Sequence, residues 1–382
     1  MHNQKDHDRC FECDHLYIGD ATDDTVKTFD PETGKFLGTF VARNSSNNLH
    51  GPRGLIFNYK GNLLVSNQRV FTPFNGDVLK FNGQTGAFLG ELVHSADPNS
   101  PLAPRGIVLS THNVLFVADL GDFFMGVDTP GEVRMYDGTT GVFRGNLSHP
   151  GFNPFHPRGL VFGPDGLLYV SAFDPSEGEN GLRGWVLRFD LKSGEFEVFI
   201  KSDDVNNLHR PEGLVFGPDG NLYVTSFKNL NDPNDTDKIL IFDGQTGKFL
   251  DKIDLYAPGQ ARAFAQALLF GPNGKLYVPI TGPSDDKPDG TSVPAGEFTG
   301  SVRRYNVDSK KFKEIVPPFK KGGPLGVPWY LTFGNTNPKT LAYECDLEET
   351  SDHHHHDESS DESSEHHHHH PHHKKSRDES SD

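Results

Sequence analysis

The sequence predicts an all-β chain, a six-bladed β-propeller of four-stranded blades. Three observations predict it. One phrase recurs along the chain, a second phrase follows each full copy, and the first 347 residues show no long stretch with the apolar spacing of an amphipathic helix.

The first phrase is clearest as "FHPRGLVFGPDGLLYVSAF" (residues 155–173) and "LHRPEGLVFGPDGNLYVTSF" (208–227). It recurs as "LHGPRGLIFNYKGNLLVSN", "LAPRGIVLSTHNVLFVADL" and, more weakly, "AFAQALLFGPNGKLYVPIT"; a shortened copy reads "VPWYLTFGNTNPKTLAYEC". The second phrase takes forms such as "GDVLKFNGQTGAFLGEL" and "GEVRMYDGTTGVFRGNL". Within each unit GLVF reads as a first strand, LLYVSAF as a second, WVLRFD as a third and FEVFI as a fourth. All are rich in Val, Leu, Phe and Tyr and are bounded by Gly, Pro, Asn and Asp. GPDG and GQTG are tight turns, where glycine takes positive φ without a Cβ penalty. Four-stranded units of this length are propeller blades.

The chain begins in mid-unit: HLYIGDA is a second strand, TVKTFD a third and FLGTFV a fourth. The last copy supplies a first strand, WYLTFG. Both chain ends therefore close the first blade, and five whole units plus a split one make six. LAYEC (341–345) is left over and competes with residues 15–20 for the second-strand place. The domain division is a polar leader over residues 1–14, the propeller over 15–347 and a low-complexity tail over 348–382.

The pattern P-x-G-L-x-F-x-x-x-G-x-L-Y-V resembles the NHL-type and streptogramin-lyase-like propeller superfamily, up to about residue 345. That resemblance implies a fold, which hosts hydrolases, lyases and binding proteins alike. A lyase of that kind would imply a W-F-T-E-like second strand and a His/Glu set near the last blades. Here the second strands read LYVSAF and LYVTSF, and the late blades carry Gln266 and Trp329. A sugar-lactonase propeller would imply carboxylate and Asn calcium ligands on the inner strands, and Glu212 alone stands at the aligned position.

Phe is abundant, 30 of 382 residues, against 3 Met and 2 Trp, which suits sheets packed face to face by aromatic rings. A net charge of −17 disfavours nucleic acid and anionic membrane as partners. The sequence has no apolar run of about twenty residues for a membrane span. The leader is too polar for a signal peptide.

Cys10 and Cys13 form a CxxC in a leader that also holds His2, His7 and, just beyond it, His15. It reads as a metal or redox site, a local disulfide, or a partner for Cys345 where the chain ends meet. The tail is "EETSDHHHHDESSDESSEHHHHHPHHKKSRDESSD". It buries no core and is expected to be disordered alone. Its imidazoles are His353, His354, His355, His356, His366, His367, His368, His369, His370, His372 and His373. Flanked by carboxylates and serines, they suit Zn, Ni or Cu through interchangeable weak sites. A purification tag is the plainer reading, but a tag would not need acidic serine-rich spacers.

Within the first phrase, the residue two before the apolar run is Arg53, Arg105, Arg158, Glu212, Gln266 and Trp329 in turn. In a propeller the first strands line the central channel, and residues in one register point the same way. Three guanidiniums, one carboxylate, one amide and one indole are therefore expected at the channel mouth. They form either an internal ion-pair network or a pocket for a small anionic or sugar-like ligand, since arginine forks match carboxylate and phosphate. Long second-to-third strand loops should cover this face, which also suits a bound protein. The fourth-to-first connections carry His50, His149, His156 and His209. His50, His156 and His209 from neighbouring blades would suffice for a metal, or would stack on the nearby prolines. The acidic loops offer oxygen ligands for calcium, though without EF-hand spacing. GxSxG, HExxH and a nucleotide loop are absent, and no nucleotide cofactor is expected.

Together these features read as a ligand- or metal-binding propeller scaffold with a transition-metal-binding tail, fitting a surface or envelope role. The other reading is a lyase or hydrolase of a small anionic or carbohydrate substrate at the mouth.

Overall fold

The computed structural model describes residues 14–69, 75–121, 130–149, 155–174, 183–286 and 292–344. The described residues belong to one compact unit; residues 347–382, divided from it, lie outside the described residues. Six four-stranded antiparallel sheets make the blades of the first unit. The closing blade has the order Pro328–Phe333, β1 (Leu16–Asp20), β2 (Thr25–Phe29), β3 (Phe36–Ala42). Leu16 pairs with Phe333, so the two ends of the propeller share one ladder.

Burial falls from the axis outward. The first strand of the second blade, β4 (Pro52–Phe57), is buried throughout, whereas β3 on the rim is mostly exposed. Neighbouring blades lock through one repeated contact. The second-strand aromatic of one blade meets, edge to face, the Phe ending the first strand of the next. Tyr17 meets Phe57 at 4.9 Å between ring centroids, Tyr169 meets Phe216 at 5.0 Å, and Tyr223 meets Phe270 at 5.0 Å. Tyr277 meets Phe333 at 5.0 Å and Phe116 meets Phe162 at 5.6 Å. Between the second and third blades the positions are Leu64 and Leu109, which share one apolar cluster. Each aromatic pair contributes about 0.5–1.5 kcal/mol beyond its burial. This explains the repeated L-Y-V and G-L-V-F phrases.

The glycine after four of the six varied residues is also structural. A Cβ on Gly54 would sit 2.6 Å from the Arg105 carbonyl oxygen, and one on Gly159 would sit 2.5 Å from that of Glu212. Only glycine lets adjacent first strands approach this closely around the channel. The column reads Gly54, Gly106, Gly159, Gly213, Ala267 and then Tyr330, whose ring takes the space the small residues leave.

LAYEC is not a strand of the closing blade; β1 holds that place. The last described segment instead crosses the base of the propeller. The N–H of Leu109 donates to the Pro338 carbonyl at 2.8 Å, and that of Phe162 to the Lys339 carbonyl at 3.1 Å. Leu341, at φ +55°, packs against apolar clusters from different blades. It closes an axial cavity of about 40 Å³ that Leu55, Ile107, Leu160, Leu214, Leu268 and Leu331 surround. The strand pattern was ambiguous there because a ring of inward leucines needs one more apolar side chain at its base, and Leu341 supplies it.

Candidate functional site at the channel mouth

Among the six register residues Arg53 meets Gln266 and Trp329, and Arg158 meets Glu212. All but Gln266 are buried: Arg53 is 5 % exposed, Arg105 2 %, Arg158 1 % and Glu212 0 %. Second-strand hydroxyls hold their backbones. Ser66 Oγ donates to the Arg105 carbonyl at 2.6 Å, and Ser171 Oγ to the Glu212 carbonyl at 2.5 Å.

The ring has two unlike halves. In one, Arg53 is satisfied. Its Nε donates to Gln68 Oε1 at 2.7 Å, its Nη1 donates to Gln266 Oε1, and its guanidinium lies 3.1 Å over the centre of the Trp329 ring. In the other, Arg158 Nη1 donates to Glu212 Oε2 at 3.2 Å and lies 3.1 Å from Oε1. Arg210 Nε lies 3.4 Å from the same Oε1. Beyond that pair the donors are idle. Arg105 Nε and Nη1, Arg158 Nε and Nη2, and the Tyr330 hydroxyl are buried with no hydrogen-bond partner among the described residues.

Burial is the first cause of the shifts here. It pulls the Arg105 and Arg158 guanidiniums down to about 10, against the opposing pull of Glu212, and takes Arg53 well below its usual range. At about 10, Arg105 and Arg158 remain charged at neutral pH. Burial, then the Glu212 charge, pushes the Tyr330 phenol up to about 12, so it keeps its proton. Three guanidiniums thus share one lumen with one carboxylate.

Tyr330, Arg210 and Gln68 are members that the repeat alignment did not bring out. Two had a signal. Tyr330 stands in a column otherwise filled by Gly and Ala, and Arg210 precedes Pro211 in "HRPEG", where the acid has taken the register position. Gln68 had none.

The histidines do not gather. His50 Nδ1 lies 2.9 Å from Asp24 Oδ2, at the junction of the first two blades. His156 Nδ1–H donates to the Leu120 carbonyl at 2.7 Å, and its ring stacks on Phe173, over which Arg158 also lies. His209 is held near 4 by burial and then by the Lys238 charge. His149 packs on Phe155, with its centroid 4.3 Å away. Among the described residues no group of three or more His, Cys, Asp or Glu side chains is placed to hold a metal. His50, His156 and His209 therefore form no such group.

The acidic loops carry built-in cations. Lys238 Nζ sits 2.9 and 2.7 Å from the two Asp235 oxygens. Lys27 Nζ sits 2.7 Å from Asp20, 2.7 Å from Asp23 and 3.0 Å from the Pro324 carbonyl. Asp20 also accepts from the N–H groups of Gly326 and Val327, which ties the incoming chain to the blade. Cys10, Cys13, Cys345 and the eleven tail histidines lie outside the described residues.

No protein-family model matches the chain, and no curated protein does. Solved structures do. A protein of unknown function from Bacteroides caccae aligns at 11 % identity over 84 % of this chain and 98 % of its own, with a TM-score of 0.54. A virginiamycin B lyase from Staphylococcus aureus, solved with quinupristin, aligns at 14 % identity over 84 % and 91 %, TM-score 0.49. A gluconolactonase from Xanthomonas campestris aligns at 15 % identity over 73 % and 78 %, TM-score 0.49. The likeness is one of fold: this chain is a six-bladed β-propeller.

Proposed function

We propose that the protein is a binding propeller whose channel mouth holds a small oxyanion between Arg105 and Arg158. The observation that carries this is Arg105, a guanidinium 2 % exposed whose Nε and Nη1 have no partner among the described residues. A buried, unpaired charge is costly, and Glu212 is already shared by Arg158 and Arg210. An anion would neutralise the excess charge and fill the idle donors. Arg158, whose Nη1 faces Glu212, keeps the parallel Nε–H and Nη2–H edge that suits two oxygens of one anion. The Tyr330 hydroxyl would add a neutral donor.

The arrangement favours holding a ligand over transforming it. Glu212 is committed to its arginines, and Tyr330 keeps its proton, so neither is a base at neutral pH. The test is thermal melting of the full chain with phosphate, acetate or glycolate added. Binding raises the melting temperature with ligand concentration. A melting temperature indifferent to every anion tried refutes the proposal.

The tail belongs to the same proposal as a separate transition-metal-binding segment, on the strength of its eleven imidazoles between carboxylates.

A further inference from the structure

This inference rests on the anion reading and narrows the ligand. The idle groups at the mouth are not all donors. Glu212 Oε1 is buried and accepts no hydrogen bond, although Arg158 Nη1 lies 3.1 Å and Arg210 Nε 3.4 Å away. Both contacts are ion pairs without hydrogen-bond alignment. The acceptor therefore stands beside the two guanidiniums that would hold the anion.

A bare anion meets two penalties there. It faces the Glu212 charge, and it leaves a buried acceptor unpaired, which costs more than the bond itself returns. A neutral polyol satisfies the acceptor but leaves the guanidiniums without a counter-charge. Only a ligand that places an O–H next to its negative oxygens answers the whole set. The oxygens meet Arg105 and the Nε–H/Nη2–H edge of Arg158, while the O–H donates to Glu212 Oε1.

We propose that the ligand is an oxyanion carrying its own hydroxyl donor beside the charge, as a 2-hydroxycarboxylate or a hydrogen phosphate does. Glu212 is then the residue that selects against plain anions. It acts by charge and by the unmet bond, not by size.

Matched pairs test this by titration calorimetry on the full chain. Glycolate and acetate differ in the hydroxyl and carry the same charge; hydrogen phosphate and sulfate make the second pair. The hydroxyl-bearing member of at least one pair should bind at least about tenfold more tightly, the size expected for leaving a buried acceptor unpaired. Whichever pair shows the larger ratio says whether carbon or phosphorus carries the anion. In Glu212→Gln the ratio should collapse, and acetate and sulfate should bind more tightly than to the parent, because the repulsive charge is gone and the amide can donate. Equal affinities within both pairs overturn the selectivity while leaving the anion site in place. No binding by any of the four overturns the site and the selectivity together. The wild-type comparison stands by itself if the Gln variant fails to fold.

Discussion

Arg158 and Glu212 are 54 residues apart in the chain and meet as a buried ion pair, each 1 % exposed at the side chain, with Nη1 3.1 Å from Oε1. They occupy the same register of adjacent blades, so the repeat itself brings them together. Arg158→Ala should cost about 3 kcal/mol, because it removes the nearer cation of a buried carboxylate and leaves Arg210 at 3.4 Å. Arg158→Ala with Glu212→Gln should recover most of that loss. Denaturant melts of both variants check this; an unchanged midpoint in the single variant would contradict it.

Arg105 makes the opposite prediction. It has no partner for Nε or Nη1, and its charge is disfavoured by burial. Arg105→Met keeps the side-chain length and removes the desolvated charge. The ligand-free protein should become more stable by about 1–3 kcal/mol. The same variant should lose the rise in melting temperature that an oxyanion gives the parent. Stability gained as binding is lost is the signature of a residue kept for a ligand.

His209 sets an acid limit. Its folded value is about 4, against 6.5 for the free side chain, because burial and Lys238 disfavour the imidazolium. Between those values the unfolded chain binds a proton that the folded chain does not. The His209 contribution is therefore complete above about pH 6.5 and is lost as pH falls to about 4. His209→Gln should flatten this part of the stability profile. Parallel profiles for parent and variant from pH 7 to pH 4 would count against it.

Leu341 combines an apolar plug with a left-handed backbone. Leu341→Ala should cost about 1–3 kcal/mol through the lost packing. Leu341→Gly removes still more side chain but suits φ +55°. The Gly variant should therefore be no less stable than the Ala variant, the reverse of the usual order. A Gly variant clearly weaker than Ala would show that the backbone there is not strained.

The tail should bind several zinc ions independently of the propeller. A chain ending at Leu347 should lose most of the zinc uptake seen by calorimetry. Uptake by the full chain should weaken as pH falls through about 6.5, because only neutral imidazole ligates. Equal uptake by the two chains would make the tail a spacer.

By itself the sequence determined the blades, their number and the register that puts Arg53, Arg105, Arg158, Glu212, Gln266 and Trp329 in one ring. These follow from local periodicity: strands alternate, turns need glycine, and equivalent positions in symmetric blades must face alike. What it could not determine was which of those residues satisfy one another. Arg53 and Arg105 look identical in the repeat, yet one finds Gln68, Gln266 and Trp329 while the other finds no hydrogen-bond partner for two of its nitrogens. The histidines share a position in the repeat but not a site: His50 turns to Asp24 and His156 to the Leu120 carbonyl. Tyr330 and Leu341 took their places on the axis because a closed ring leaves one lumen to fill, and only packing across all six blades decides which side chain fills it.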